Sequence, residues 1–168
     1  MRRLILMRHA KSSWADPGQR DFDRPLNPRG LRSAPLLGAW LRERGYAPDA
    51  ALVSTARRAR ESWEGLGFGA IPTDFVDTIY EAAPATLLEV VRRARDAGTV
   101  ILIGHQPGIG AAAEGLLADP LDDPAFWRHP TGATTVIQLG AESWAEVGWG
   151  DGVALDFVTP RALELARP

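Results

Sequence analysis

Apolar residues fall along the chain in two kinds of run. Leu4 to Met7, Ala50 to Val53 and Thr99 to Ile103 are short and unbroken by charge, the pattern of strands buried on both faces. Longer stretches between them carry helical spacing. One opens at Asn27-Pro28, an N-cap followed by a first-turn proline, and runs to Arg44 before a stop at Gly45. Leu37, Trp40 and Leu41 form its apolar face, and Pro35 inside it predicts a kink or a late start. A second helix is expected to begin near Arg57, capped by Ser54. A third opens at Pro84, sets Leu87, Leu88, Val91 and Ala94 on one side, and stops at Gly98. A fourth, rich in small residues, covers Pro107 to Leu117. Phe75-Val76 reads as a short strand, and Thr134 to Leu139 and Ala154 to Val158 complete the sheet. A polar loop joins His9 to about Leu26, with a turn at Asp16-Pro17-Gly18. Alternating strands and helices predict an α/β fold of three layers, a mostly parallel central sheet flanked by helices. No repeat or linker divides the sequence, so residues 1–168 are expected to form one domain.

Composition narrows the functional classes. A net charge of −2 supplies no field for nucleic acid or a membrane surface, so neither is an expected partner. The chain has no cysteine, which excludes disulfides, thiolate metal sites and cysteine nucleophiles. The apolar run near Met1 is too short for a signal peptide or a membrane span. A cytoplasmic, monomeric protein is the expectation. Most of the six tryptophans read as core or half-buried covers, and groove lining stays open for the rest.

The chemistry converges just past the three strongest strands. Arg8-His9 follows the first, Ser54 and then Arg57, Arg58 and Arg60 follow the second, and Gly104-His105 follows the third. Ligands of open α/β sheets bind at the carboxyl ends of the strands. Two histidines and at least two arginines are thus expected at one rim, with no carboxylate cluster beside them. Such a rim suits an anion, and the arginine fork matches phosphate. The helix after Pro107 is expected to add a positive dipole end beside His105. His9 can attack phosphorus if one ring nitrogen is unprotonated and the other is held by a hydrogen bond. Arg8, Arg58 and His105 would neutralise the transferring group.

Other residues carry two readings each. Glu81 is either the group that protonates the leaving oxygen and then activates water, or an ordinary acid at a helix start. Ser12 is read as a substrate contact, with loop capping as the alternative that it shares with Lys11 and Ser13. His129 is read as structural or at the site rim. Arg57 and Arg60 read as a solvated helix face, and Arg2 and Arg3 as surface. Three histidines without a close acid pair make no zinc or di-iron set, so no metal or cofactor is expected. There is no P-loop and no nucleophile elbow, and Gly108-Ile109-Gly110 is too weak a signal for a dinucleotide site.

These motifs resemble a known family. Leu6-Met7-Arg8-His9-Ala10-Lys11-Ser12-Ser13-Trp14 resembles the Arg-His-Gly/Ala signature of the histidine phosphatase superfamily, with a continuation similar to its SixA-type phosphohistidine phosphatase branch. Asp21 to Asn27, then Arg29-Gly30, is similar to the loop and helix start of that branch. Val53 to Ser62 is similar to its Ser-Pro-x-x-Arg-Ala-x-Gln-Thr motif, an alignment that selects Arg58 as the second phosphate-binding arginine. Ile103 to Gly108 resembles the second-histidine motif, and Pro130-Thr131-Gly132-Ala133 a late motif of the branch.

The resemblance implies a phosphoglycerate mutase-like fold and a metal-independent phosphatase that works through phosphorylated His9. Thr55, Glu61 and Ser62 depart from the pattern as structural changes. Ala15 stands where phosphoglycerate-acting relatives often carry Asn, which weakens a mutase or sugar-phosphate assignment. Glu81 aligns only loosely with the family acid. A phosphorylated protein is the leading substrate, implied by the open site of SixA-type members. A small phosphate ester, such as a nucleotide, a sugar phosphate or a cofactor-precursor phosphate, is the alternative, with Trp14 or Trp127 as a stacking surface. A catalytically silent phosphate-binding module is the third reading.

Overall fold

In the computed structural model, which describes residues 1–166, the apolar run Leu4 to Met7 is the fully buried middle of strand β1 (Arg2–Arg8). Successive side chains of a strand point to opposite faces, and here both faces are covered. Leu4 and Leu6 pack with Leu87, Leu88 and Ile109 beneath helices α3 (Pro84–Arg92) and α4 (Gly108–Leu116). Ile5 and Met7 pack with Leu37, Leu41 and Trp63 beneath α1 (Pro28–Glu43) and α2 (Arg57–Leu66). Each fully buried side chain of this kind is worth roughly 1.5–3 kcal/mol, so the three-layer arrangement follows from strands with no polar face to show to water.

The six strands lie in the order β3 (Thr73–Val76), β2 (Ala50–Ser54), β4 (Thr99–Gly104), β1, β5 (Thr134–Leu139), β6 (Gly152–Val158). The first four are mutually parallel, and β5 alone is reversed: it runs antiparallel to β1 on one side and to β6 on the other. Met7 stands opposite Ile103 and Arg8 opposite Gly104, while Val53 also pairs Ile103. The ends of β2, β4 and β1 therefore release Ser54, His105 and His9 side by side at one rim.

Several boundaries differ from the pattern. α1 starts at Pro28, with Asn27 Oδ1 accepting the Gly30 N–H at 2.9 Å, and continues through Pro35 to Glu43; Gly45 follows at φ +76°. α3 ends at Arg92, well before Gly98. The amides of Arg93 and Ala94 bond back to Val90 and Val91, three residues earlier, and this tighter turn returns the chain to β4. Ser54 is the last residue of β2 and Ala56 the N-cap of α2, so Ser54 is no cap. Arg2 and Arg3 are half-buried, since they belong to β1; Arg2 donates to the carbonyls of Glu142 and Ala97. Helices α5 (Pro124–Arg128) and α6 (Pro160–Ala166) have no counterpart in the sequence reading. Trp40, Trp63 and Trp144 are buried, whereas Trp14, Trp127 and Trp149 are exposed. No described helix is long and apolar enough to cross a membrane.

Candidate active site

His9 leaves β1 at the centre of the rim, buried to 5% exposure. Its Nδ1 lies 2.7 Å from the Ala10 carbonyl. A carbonyl only accepts, so Nδ1 carries the proton and Nε2 is the unprotonated nitrogen. Arg58 Nε donates to that Nε2 at 3.3 Å. Burial, and then the neighbouring His105, Arg58 and Arg8, outweigh the Ala10 carbonyl and lower the His9 pKa to about 3. The ring is neutral at neutral pH.

His105 follows β4, and its ring centroid is 5.2 Å from that of His9. Its Nε2 lies 2.7 Å from Ser54 Oγ, which also accepts the Ala56 N–H at 3.2 Å. Nδ1 of His105 is buried without a protein partner. Burial and the charge of Arg58 lower its pKa to about 4. The Tyr80 and His105 rings stand perpendicular, with centroids 5.3 Å apart.

Arg58 is the buried arginine of its cluster, while Arg57 and Arg60 are exposed, as their positions on α2 predict. Its guanidinium donates to the Asp21 carbonyl at 2.7 Å and to Asp21 Oδ2 at 3.0 Å. Tyr80 Oη donates to the same Oδ2 at 2.5 Å. Partial burial alone would raise the Asp21 pKa; the hydrogen bonds from Tyr80, Arg58 and Arg24 win and hold it at about 2. Tyr80 is pushed up to about 12, by desolvation and then by Asp21. The expectation of a rim without a counter-charge is thus corrected. The loop after β1 folds back over the rim and sets one carboxylate, Asp21, against Arg58.

Ser62 joins the two halves of the site. It accepts the Ala10 N–H at 2.9 Å and donates to the Arg58 carbonyl at 2.7 Å. Glu61 accepts the Leu26 N–H at 2.8 Å. Both departures from the motif therefore carry structural bonds.

Arg8 Nη1 donates to the carbonyl of His129 at 3.0 Å, and Arg8 Nε is buried without a partner. His129 sits at φ +48° as the C-cap of α5, fully buried, with Nδ1 3.3 Å from the Phe126 carbonyl. Its backbone, not its ring, serves the rim. A cleft of about 280 Å³ is lined by Arg8, His9, Arg58 and His105, together with Lys11, Ser12, Trp14, Asp21, Arg24, Glu81, Gln106 and Thr131. Glu81 reaches this wall from a residue at φ +54°, a backbone cost that a non-glycine residue carries when its surroundings hold it there. Ser12 Oγ accepts from Arg24 at 2.9 Å, which leaves its hydroxyl proton free for a ligand. Trp127 is not part of the wall. The dipole expected at α4 is largely used up: the Gly110 N–H bonds Gln106 Oε1 at 2.7 Å, and the Ile109 N–H bonds the His105 carbonyl.

Sequence reasoning missed Asp21, Arg24, Ser54 and Tyr80 as site residues. Arg24 is buried, donates to Asp21 Oδ1 and Ser12 Oγ, and lies 3.4 Å from the Trp14 ring centroid. The Asp21-to-Asn27 motif held the only sequence signal for two of the four.

The profile of the histidine phosphatase superfamily (branch 1) matches residues 4–84. An uncharacterized protein of Mycobacterium tuberculosis is 40% identical over 161 residues, covering 92% of this chain and 100% of the relative. The solved structure of a candidate phosphohistidine phosphatase SixA from Nakamurella multipartitia is 31% identical, with a TM-score of 0.83 over 95% of this chain and 96% of that one. A candidate SixA from Agrobacterium tumefaciens is 30% identical, with a TM-score of 0.78 over 95% of this chain and 98% of that one. The chain belongs to the histidine phosphatase superfamily, in its SixA-type branch.

Proposed function

We propose that this protein is a metal-independent phosphatase that transfers a phosphoryl group to His9 and then to water, and that its substrate is phosphohistidine in a protein. The observation that carries the reading is the state of His9. The ring is neutral, Nδ1 is pinned to the Ala10 carbonyl, and Nε2 faces the cationic Arg58. A buried imidazole of low pKa, oriented through its other nitrogen, is a nucleophile that needs no deprotonation.

In the first step the His9 Nε2–P bond forms and the bond from phosphorus to the leaving group breaks. Arg8 and Arg58 offer positive charge to the phosphoryl oxygens in the transition state, and the neutral His105 offers them a hydrogen bond. Ser12 offers its hydroxyl proton to the substrate. Glu81 supplies a proton to the leaving group; in the second step it takes one from the water that attacks phosphorus, releasing phosphate and restoring neutral His9. The arginines carry the electrostatic work in this scheme, and among the described residues no group of three or more His, Asp or Glu stands ready to hold a metal.

Similarity to the two candidate SixA structures supports phosphohistidine as the substrate. A small-molecule phosphomonoesterase is the second reading, favoured by Trp14, 72% exposed on the cleft wall, because aromatic faces stack on bases. The test is a substrate panel in excess EDTA. It sets phosphohistidine protein and peptide against phosphoserine, phosphotyrosine, nucleotides and sugar phosphates, with His9→Ala as blank. Preference for phosphohistidine that is lost in the variant is expected. Activity that survives in His9→Ala or requires metal overturns the mechanism, and preference for one metabolite moves the substrate.

A further inference from the structure

A second cleft, of about 310 Å³, adjoins the first and shares Arg8, Lys11 and Thr131 with it. Arg29 and Arg161 line its far part, and no carboxylate is among its lining residues. Lys11, Arg29 and Arg161 form no ion pair among the described residues, unlike the exposed Arg44, Arg57 and Arg95, each of which has one. Four cations thus share one concave surface in a chain whose net charge is −2. Arg29 stands in the first turn of α1, which holds no acidic residue and where the helix dipole opposes a cation. Local stability gives no reason for that placement, whereas an anionic ligand does.

We propose that this cleft is a second anion subsite, occupied by a carboxylate or phosphate carried on the same substrate molecule beyond the phosphoryl group that reaches His9. The inference rests on the phosphatase reading and deepens it: the preferred substrate carries two anionic groups. Thr131 and Arg8 lie on the shared wall, so a ligand can span both clefts without leaving the surface. An acidic side chain beside phosphohistidine and a second phosphate on a metabolite offer the subsite the same chemistry.

The experiment compares wild type with the double variant Arg29→Gln/Arg161→Gln, two exposed positions outside the phosphoryl-transfer machinery. The substrates are a phosphohistidine peptide flanked by Glu, the same peptide flanked by Gln, a sugar bisphosphate, the matching monophosphate, and phenyl phosphate. For the Glu-flanked peptide or the bisphosphate, KM is expected to rise roughly five- to tenfold in the variant, with kcat little changed. The Gln-flanked peptide, the monophosphate and phenyl phosphate are expected to respond little, and the member that responds identifies the source of the anion. Wild-type KM values equal within each pair, or an equal loss on every substrate, overturn the subsite. Turnover of phenyl phosphate by wild type in that case leaves the phosphatase reading standing; no turnover of any substrate sinks both.

Discussion

The hydroxyl of Ser54 lies 2.7 Å from Nε2 of His105. It ties the last residue of β2 to the residue that follows β4, and it accepts the Ala56 amide as well. The serine thus sets the angle of a ring whose other nitrogen has no protein partner. Ser54→Ala removes both bonds and leaves buried polar atoms unpaired, at a cost of about 1–3 kcal/mol. A lower melting temperature and about a tenfold lower kcat/KM are expected. Unchanged kinetics in a stably folded Ser54→Ala protein would show that the orientation of His105 does not matter.

His9→Ala is expected to abolish turnover and the acid-labile phosphoenzyme while the protein keeps its circular dichroism spectrum. Rapid quench with labelled substrate checks both. A phosphoenzyme in the variant would place the nucleophile elsewhere.

Arg58→Ala is expected to lower kcat/KM by on the order of hundreds-fold, the loss of a charged transition-state contact. Asp21→Asn keeps the backbone carbonyl that Arg58 also uses, so about a tenfold loss is expected there. Steady-state kinetics on one substrate gives both values, and a larger loss for Asp21→Asn than for Arg58→Ala reverses the roles.

Glu81→Gln is expected to slow alkyl phosphates strongly and phosphohistidine little, because a protonated imidazole leaves without help from a strong acid. Equal losses on both substrates would mean that Glu81 acts on something other than the leaving group.

The three histidines link folding to pH. Burial holds His9 at about 3 and His105 and His129 at about 4, against 6.5 for an exposed ring. Between those values the unfolded chain binds protons that the fold does not, so stability is full above pH 6.5 and falls as pH drops from there toward 4. Asp21, at about 2 against 3.8, adds a smaller loss below pH 3.8, discounted for its solvent exposure. Denaturant midpoints at pH 7, 5.5 and 4.5 test the direction, and a midpoint that rises toward acid contradicts it. Protonation of His9 puts no limb in the pH–rate profile near 6.5.

The fold was legible where burial is two-sided. Unbroken runs such as Leu4 to Met7 have no other stable home, and the His9–His105 convergence follows from parallel strands. The end of α3 was not legible, because Gly98 marks the start of β4 and the helix closes earlier on a turn that leaves no glycine. Asp21, Ser54 and Tyr80 were hidden for a related reason. Each acts through a partner 37 to 59 residues away, and no local pattern records such a contact. Arg8 and His129 meet over 121 residues, and the useful group of His129 is its carbonyl, which side-chain chemistry does not reveal.

The register of β1 on β4 has one more consequence. Arg8 pairs Gly104, so the spacing of the His9 and His105 backbones is measured out by the ladder of the innermost strands. A slip of one residue would turn every side chain of a strand to the opposite face and exchange two filled cores. The gauge between the two histidines therefore rests on the register of the two innermost strands and not on the surface loops around them.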